Sequence, residues 1–155
     1  MKAEYVNTFI RASISVIEEL CGKQASLGKV HLRDSPIFAN QVVIMIGMVG
    51  RMKGQVYFEL SADMAKSIVS LMMGGLEVHD LDEISKSAIS EMGNMIMGST
   101  GILFAQSNIA IEITPPSLLT GHRIEISNNI PTIVIPLEIE ELGTFSISIC
   151  AEELL

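Results

Sequence analysis

The chain has no tryptophan, and only two tyrosines and five phenylalanines among 155 residues. Its core must therefore be built from aliphatic side chains and from ten methionines, whose flexible thioethers fill irregular gaps and suit adaptable contact surfaces. Basic residues are also scarce. Ten Lys and Arg stand, dispersed, against eighteen Asp and Glu, giving a formal net charge of -8. Nucleic acids and anionic membrane surfaces are held by clustered cations, so neither is an expected partner. Two cysteines, Cys21 and Cys150, make no disulfide framework and are expected to be reduced thiols. The three histidines, His31, His79 and His122, lack metal-ligand spacing, and a structural zinc site needs about four convergent ligands. No Walker-type glycine-rich loop is present. The longest apolar stretch, Val42 to Val49, falls far short of the ~20 residues that span a bilayer. The opening MKAEYVNTF has no apolar signal core, so a cytoplasmic protein is expected.

What is present reads as one domain over 1–155, with 48% hydrophobic and 18% charged residues. Val6, Phe9, Ile10, Val16, Ile17 and Leu20 recur at helical spacing and Gly22 follows, which predicts a helix over 3–21. Residues 24–34 carry a weak strand signal at Val30 and Leu32, and Asp34-Ser35-Pro36 marks a turn. Residues 41–49 and 52–60 read as two strands joined by a type II′ turn at Gly50-Arg51. The first is apolar on both faces and should be central; the second alternates and should be half-buried. Ser61 is a helix N-cap, and that helix ends at Gly74-Gly75. A polar linker, Glu77 to Asp82, leads into a third helix from about Glu83 to Gln106. The rest is strand-like: Ile109, Ile111 and Ile113 alternate, Pro115-Pro116 breaks the run, and 123–126, 132–139 and 144–150 follow. Pro136 lacks an amide proton, so its strand should be an edge or carry a bulge. The fold class is α+β, with about three helices and a mostly antiparallel sheet of six or seven strands.

The third helix holds the most informative constellation. At 100° per residue, Ile84, Ala88, Met92, Met95, Ile96, Ser99, Ile102 and Leu103 form a stripe expected to pack on the sheet. Ser87, Glu91, Asn94 and Gly98 share the neighbouring flank, continued by Gly101 and Ala105. Residues three and four apart on a helix are neighbours, so the Glu91 carboxylate and the Asn94 amide can act as one unit. Gly93, Gly98 and Gly101 each cost the helix roughly 1 kcal/mol relative to alanine, which implies close approach beside the backbone. Taken alone, an acid and an amide three residues apart also fit a solvated helix face, and helix glycines also serve packing.

The segment Ser87-x-x-x-Glu91-x-x-Asn94, followed by Pro115-Pro116, resembles the signature of the CheC/CheX phosphatase family. Asn7-x-Phe9-Ile10 on the first helix, the length and the order of elements resemble CheX in particular. The resemblance implies a phosphatase for the aspartyl-phosphate of a phosphorylated CheY-like response regulator in chemotaxis signalling. It maps the catalytic acid and amide onto Glu91 and Asn94, with Ser87, Gly98 and Gly101 at the partner contact. It implies no cofactor on this chain; the Mg2+ belongs to the partner regulator. It also implies a homodimer. Glu4-x-x-Asn7 repeats the acid–amide spacing on the first helix, but the leading Ser is missing and Arg11 stands where Gly98 stands in the other copy, so a structural remnant is expected rather than a second site. Two other classes stay open: a non-catalytic binding module for a response regulator or flagellar switch component, and an oligomerisation domain.

Overall fold

A computed structural model describes residues 1–155 as three helices on an eight-stranded, wholly antiparallel sheet. The chain runs α1 (Ala3–Cys21), β1 (Ala25–Leu27), β2 (His31–Arg33), β3 (Ile37–Gly50), β4 (Met52–Leu60), α2 (Ala62–Met72), α3 (Glu83–Gln106), β5 (Ile111–Ile113), β6 (Ser117–Ile126), β7 (Thr132–Ile139) and β8 (Gly143–Glu153). The helix boundaries follow local chemistry. Gly22 ends α1 in the left-handed region, with its N–H bonded to the Glu18 carbonyl. The Ser61 hydroxyl caps α2 by accepting from the Met64 N–H at 3.0 Å.

The topology divides into two matching halves, each a helix with four strands, separated by α2. β4 and β8 lie side by side at the centre, flanked by β3 and β7. β1 and β2 of the first half pair with β7 of the second, while β5 and β6 of the second pair with β3 of the first. Each half thus completes the other's side of the sheet. All three helices cover one face. Phe9 and Ile17 of α1, Ile68 of α2 and Ile89, Met92 and Ile96 of α3 join Ile44, Ile46, Phe58, Ile147 and Ile149 in one core. Phe104, near the end of α3, sits edge-on to Tyr5 and Phe9 at 5.7 and 5.6 Å between ring centres. Each such pair adds about 0.5–1.5 kcal/mol beyond burial.

Four details differ from the sequence reading. First, the sheet has eight strands, because residues 24–34 supply two three-residue strands and β6 begins at Ser117 rather than near Arg123. Second, the β3–β4 connection is wider than a two-residue turn. The β3–β4 register ends at Met48 and Gly54, while Val49 and Gly50 continue to pair with β5 on the other side of β3. Gly50 is needed there all the same: its φ is 116° and an added Cβ would lie 2.7 Å from the Ala110 carbonyl oxygen. Third, Tyr57 of β4 is buried, since Ile37, Ala39, Val43 and Cys150 form a small second core on the helix-free face, covered by Ile124, Ile126 and Ile130. Fourth, Pro136 lies in an interior strand. It pairs with Ser146 of β8, and on its other side it falls between the end of β1 and the start of β2, where a missing donor is tolerated. Cys21 and Cys150 are both free and buried. No helix is long and apolar enough to cross a membrane.

Candidate functional site

α3 carries the site, and its start is fixed by Asp82, whose carboxylate accepts from the Ser85 N–H at 2.8 Å. That bond holds the Asp82 carboxyl below its ordinary range. The buried side of the helix is Ser85, Ile89, Met92, Gly93, Ile96, Met97, Thr100 and Phe104. Thr100 satisfies its hydroxyl within the helix by donating to the Ile96 carbonyl at 2.8 Å. The stripe expected to face the sheet is therefore displaced by roughly a quarter turn. Ile84 and Ile102, assigned to the core from the sequence, are 69% and 65% exposed. Met92 and Ile96 belong to both stripes, and the sheet selects the one that also contains Ile89, Met97 and Phe104.

This rotation places Ser87, Glu91, Asn94 and Gly98 on the side of α3 turned away from the core. Ser87 and Glu91 are exposed; Asn94 and Gly98 are half-buried. Beside them opens a cleft of about 540 Å3, walled by Ser87, Ser90 and Glu91 on α3 and by Pro116, Leu118 and Thr120 at the start of β6. Lys86 and Glu83, 3.6 Å apart, close its far end. Asn94 lies one turn beyond Ser90 along the helix.

The three glycines of α3 have different surroundings. A Cβ on Gly93 would meet Ile44 Cγ2 at 2.9 Å, so Gly93 allows the helix to press on β3. A Cβ on Gly101 would touch Ile111 of β5 at 3.7 Å, an ordinary contact, and Gly101 is half-buried. Nothing lies within 4 Å of a Cβ on Gly98. The sequence reading did not anticipate Lys86, Ser90 or the β6 wall; the run Ser117–Thr120, directly after Pro115-Pro116, was the available signal.

The second acid–amide pair has other neighbours. Glu4 and Asn7 are exposed on α1. Next to them, Glu153 accepts from the Tyr5 hydroxyl at 2.8 Å and meets Arg51 at 3.0 Å and Lys2 at 3.5 Å. The Tyr5 hydrogen bond, with Arg51 and Lys2 behind it, holds the Glu153 carboxyl below its usual range. The two pairs are not brought together: α1 presents its start against the end of α3.

Neither pair resembles an activated-nucleophile site. No histidine lines the cleft beside Ser87, and the one lysine there, Lys86, pairs with Glu83 at 3.6 Å and makes no hydrogen bond to Ser87, which therefore lacks the adjacent base a serine needs. No group of three or more His, Cys, Asp and Glu is gathered to hold a metal ion. What the α3 strip offers is an acceptor and an acceptor–donor amide, one turn apart, reachable by another macromolecule.

Comparison with known proteins identifies the family. The sequence pattern of the family described as "Chemotaxis phosphatase CheX" matches residues 42–138. The chain is 30% identical over 139 residues to the CheY-P phosphatase CheX of Thermotoga maritima, covering 90% of each chain. Its fold matches the crystal structure of a chemotaxis protein CheX from Desulfovibrio desulfuricans, with TM-score 0.85 and 24% identity over 96% of this chain and 99% of that one. It also matches the CheX chain of a CheX–CheY–BeF3–Mg2+ complex from Borrelia burgdorferi, with TM-score 0.81 and 21% identity over 98% and 100% of the two chains.

Proposed function

The chain belongs to the CheX family of chemotaxis phosphatases, and we propose that it hydrolyses the aspartyl-phosphate of a CheY-type response regulator, with Glu91 and Asn94 as its catalytic pair. The observation that supports the assignment to these two residues is their placement on the outward side of α3, with Glu91 exposed and lining an open cleft and Asn94 half-buried one turn along.

The chemistry follows from what an amide can do. Water attacks phosphorus in line, the bond from phosphorus to the aspartyl oxygen breaks, and the products are inorganic phosphate and the free carboxylate. The transition state is loose, so positioning and charge stabilisation dominate. The Asn94 side-chain oxygen accepts a hydrogen bond from the attacking water while its NH2 donates elsewhere. No proton leaves the amide, so no pKa has to be tuned. Fixing one water removes much of the orientational entropy of the step. Glu91 engages the lysine of the regulator's phosphorylation site, which holds Asn94 in register. Ser87 and Gly98 form the partner contact, and the Mg2+ is the regulator's. The pair Glu4/Asn7 is a remnant without its own turnover.

Two further parts of the reading concern assembly and place. β6 pairs with β3 alone, so the outer edge of a ten-residue strand carries unpaired backbone groups. We take this edge as the support for a homodimer; light scattering is then expected to give twice the chain mass of 16.8 kDa, and a monomeric mass would reject it. The reaction's substrate is a signalling protein of the cytoplasm, where we place this chain.

The experiment for the function is the decay of acyl phosphate on a phosphorylated CheY-type regulator. Accelerated release of inorganic phosphate on adding this protein is expected. Binding without any change in decay rate would instead favour the non-catalytic binding module.

A further inference from the structure

α3 has a second stripe on its outward side, of which Ala88 and Met95 pack half-buried against the edge of the core while Ile84 and Ile102 stay exposed. Ile84, Ala88, Glu91, Met95, Gly98 and Ile102 follow one another at alternating steps of four and three residues, the spacing of a helix-packing seam. At 1.5 Å per residue this stripe is about 27 Å long. Its ends are the large apolar side chains of Ile84 and Ile102, 69% and 65% exposed, and Glu91 lies between them. Single exposed isoleucines need no explanation. Two of them on one helical line, bracketing a catalytic candidate, form an organised surface.

The rest of the molecule supplies an internal control. Aligning Glu4 with Glu91 and Asn7 with Asn94 sets Thr8 opposite Met95, Arg11 opposite Gly98 and Ser15 opposite Ile102. The same line on α1 is therefore polar, as a solvated helix face should be. Gly98 adds an independent sign. It weakens the helix by roughly 1 kcal/mol relative to alanine, yet nothing inside the chain occupies the space its missing Cβ leaves. The backbone is bare there, on the outward side, one turn from Asn94.

We propose that this stripe is a docking ridge for the phosphorylated receiver domain, seated on Ile84 and Ile102 at its ends and approaching the helix backbone at Gly98. The inference rests on the assignment of Glu91 and Asn94 to the regulator's phosphorylation site, because the ridge is continuous with that pair. The ridge supplies affinity and register; the pair supplies turnover.

The test compares the double variant Ile84→Ser/Ile102→Ser with Asn94→Ala. Binding is titrated with a beryllofluoride-activated receiver, and turnover is followed with the phosphorylated one. The isoleucine variant is expected to keep the melting temperature, because both side chains are exposed, and to lose roughly tenfold or more in Kd and KM while kcat at saturating receiver stays within about twofold. Asn94→Ala is expected to bind normally and to lose turnover. Unchanged Kd and KM in the isoleucine variant would overturn the docking ridge, whatever Asn94 does. Weakened binding there, together with full turnover in Asn94→Ala, would leave the ridge standing and remove the catalytic assignment.

Discussion

The acid–amide pairs on α1 and α3 share a spacing and occupy matching places in the two halves of the fold, but little else. Glu91 and Asn94 sit in the middle of a 24-residue helix, two turns after its start, with Glu91 lining an open cleft and Asn94 one turn from an unobstructed glycine. Glu4 and Asn7 sit in the first two turns of a 19-residue helix, where Glu4 lines a smaller cleft of about 340 Å3 shared with Lys2, Tyr5 and Arg51, with Arg11 where α3 has Gly98. The difference teaches that a functional pair is defined by the space around it. The residue types and their spacing are necessary; a bare backbone beside them decides whether a partner can reach them.

The strongest way to break the contrast is to give α3 the side chain that α1 carries. Gly98→Arg should fold, since nothing lies within 4 Å of the new Cβ and arginine is a better helix former than glycine. It should nevertheless lower kcat/KM for the phosphorylated regulator by roughly 100-fold, through loss of close approach and a bulky charge on the ridge. Steady-state phosphate release would measure this, and normal kinetics would mean that Gly98 faces nothing of consequence. A smaller effect separates glycines within α3. Gly98→Ala should raise stability by about 1 kcal/mol. Gly93→Ala should lower it by about 1–3 kcal/mol despite the same gain in helix propensity, because the methyl would meet Ile44 at 2.9 Å from Cγ2. Denaturant titrations of the two variants give the sign of each change, and equal signs would show that the two sides of the helix are not distinguished in this way.

Much of this organisation was legible in the sequence where local chemistry sets it. α1, α3 and β7 came out at their observed limits, because Gly22, Asp82 and the clean alternation of 132–139 are strong local signals. Tertiary pairing decided the rest. Leu118-Leu119 does not alternate, so the first half of β6 was silent, and three-residue strands such as β1 and β2 are shorter than any periodicity can register. The end of β3 is extended by pairing with β5, which lies some sixty residues further along the chain. The core face of α3 was misplaced for a physical reason. Ile84, Ala88, Met95 and Ile102 make its outward side almost as apolar as its inward side, and hydrophobic periodicity cannot choose between two such stripes. The pair Glu91/Asn94 was found from its spacing and its resemblance to a family motif. Pro115-Pro116 was part of that motif, but that Pro116 and Thr120 wall the cleft follows only from the course of β6 beside α3.

The most direct test of the central claim is a paired measurement of phosphate release from the phosphorylated regulator with Asn94→Ala and with Asn7→Ala. Both residues are solvent-accessible, so both variants should keep the native circular dichroism spectrum and melting temperature. Acceleration should vanish with Asn94→Ala and stay within about twofold of the parent with Asn7→Ala. Acceleration that survives in Asn94→Ala, or that falls equally in the two variants, would contradict the account.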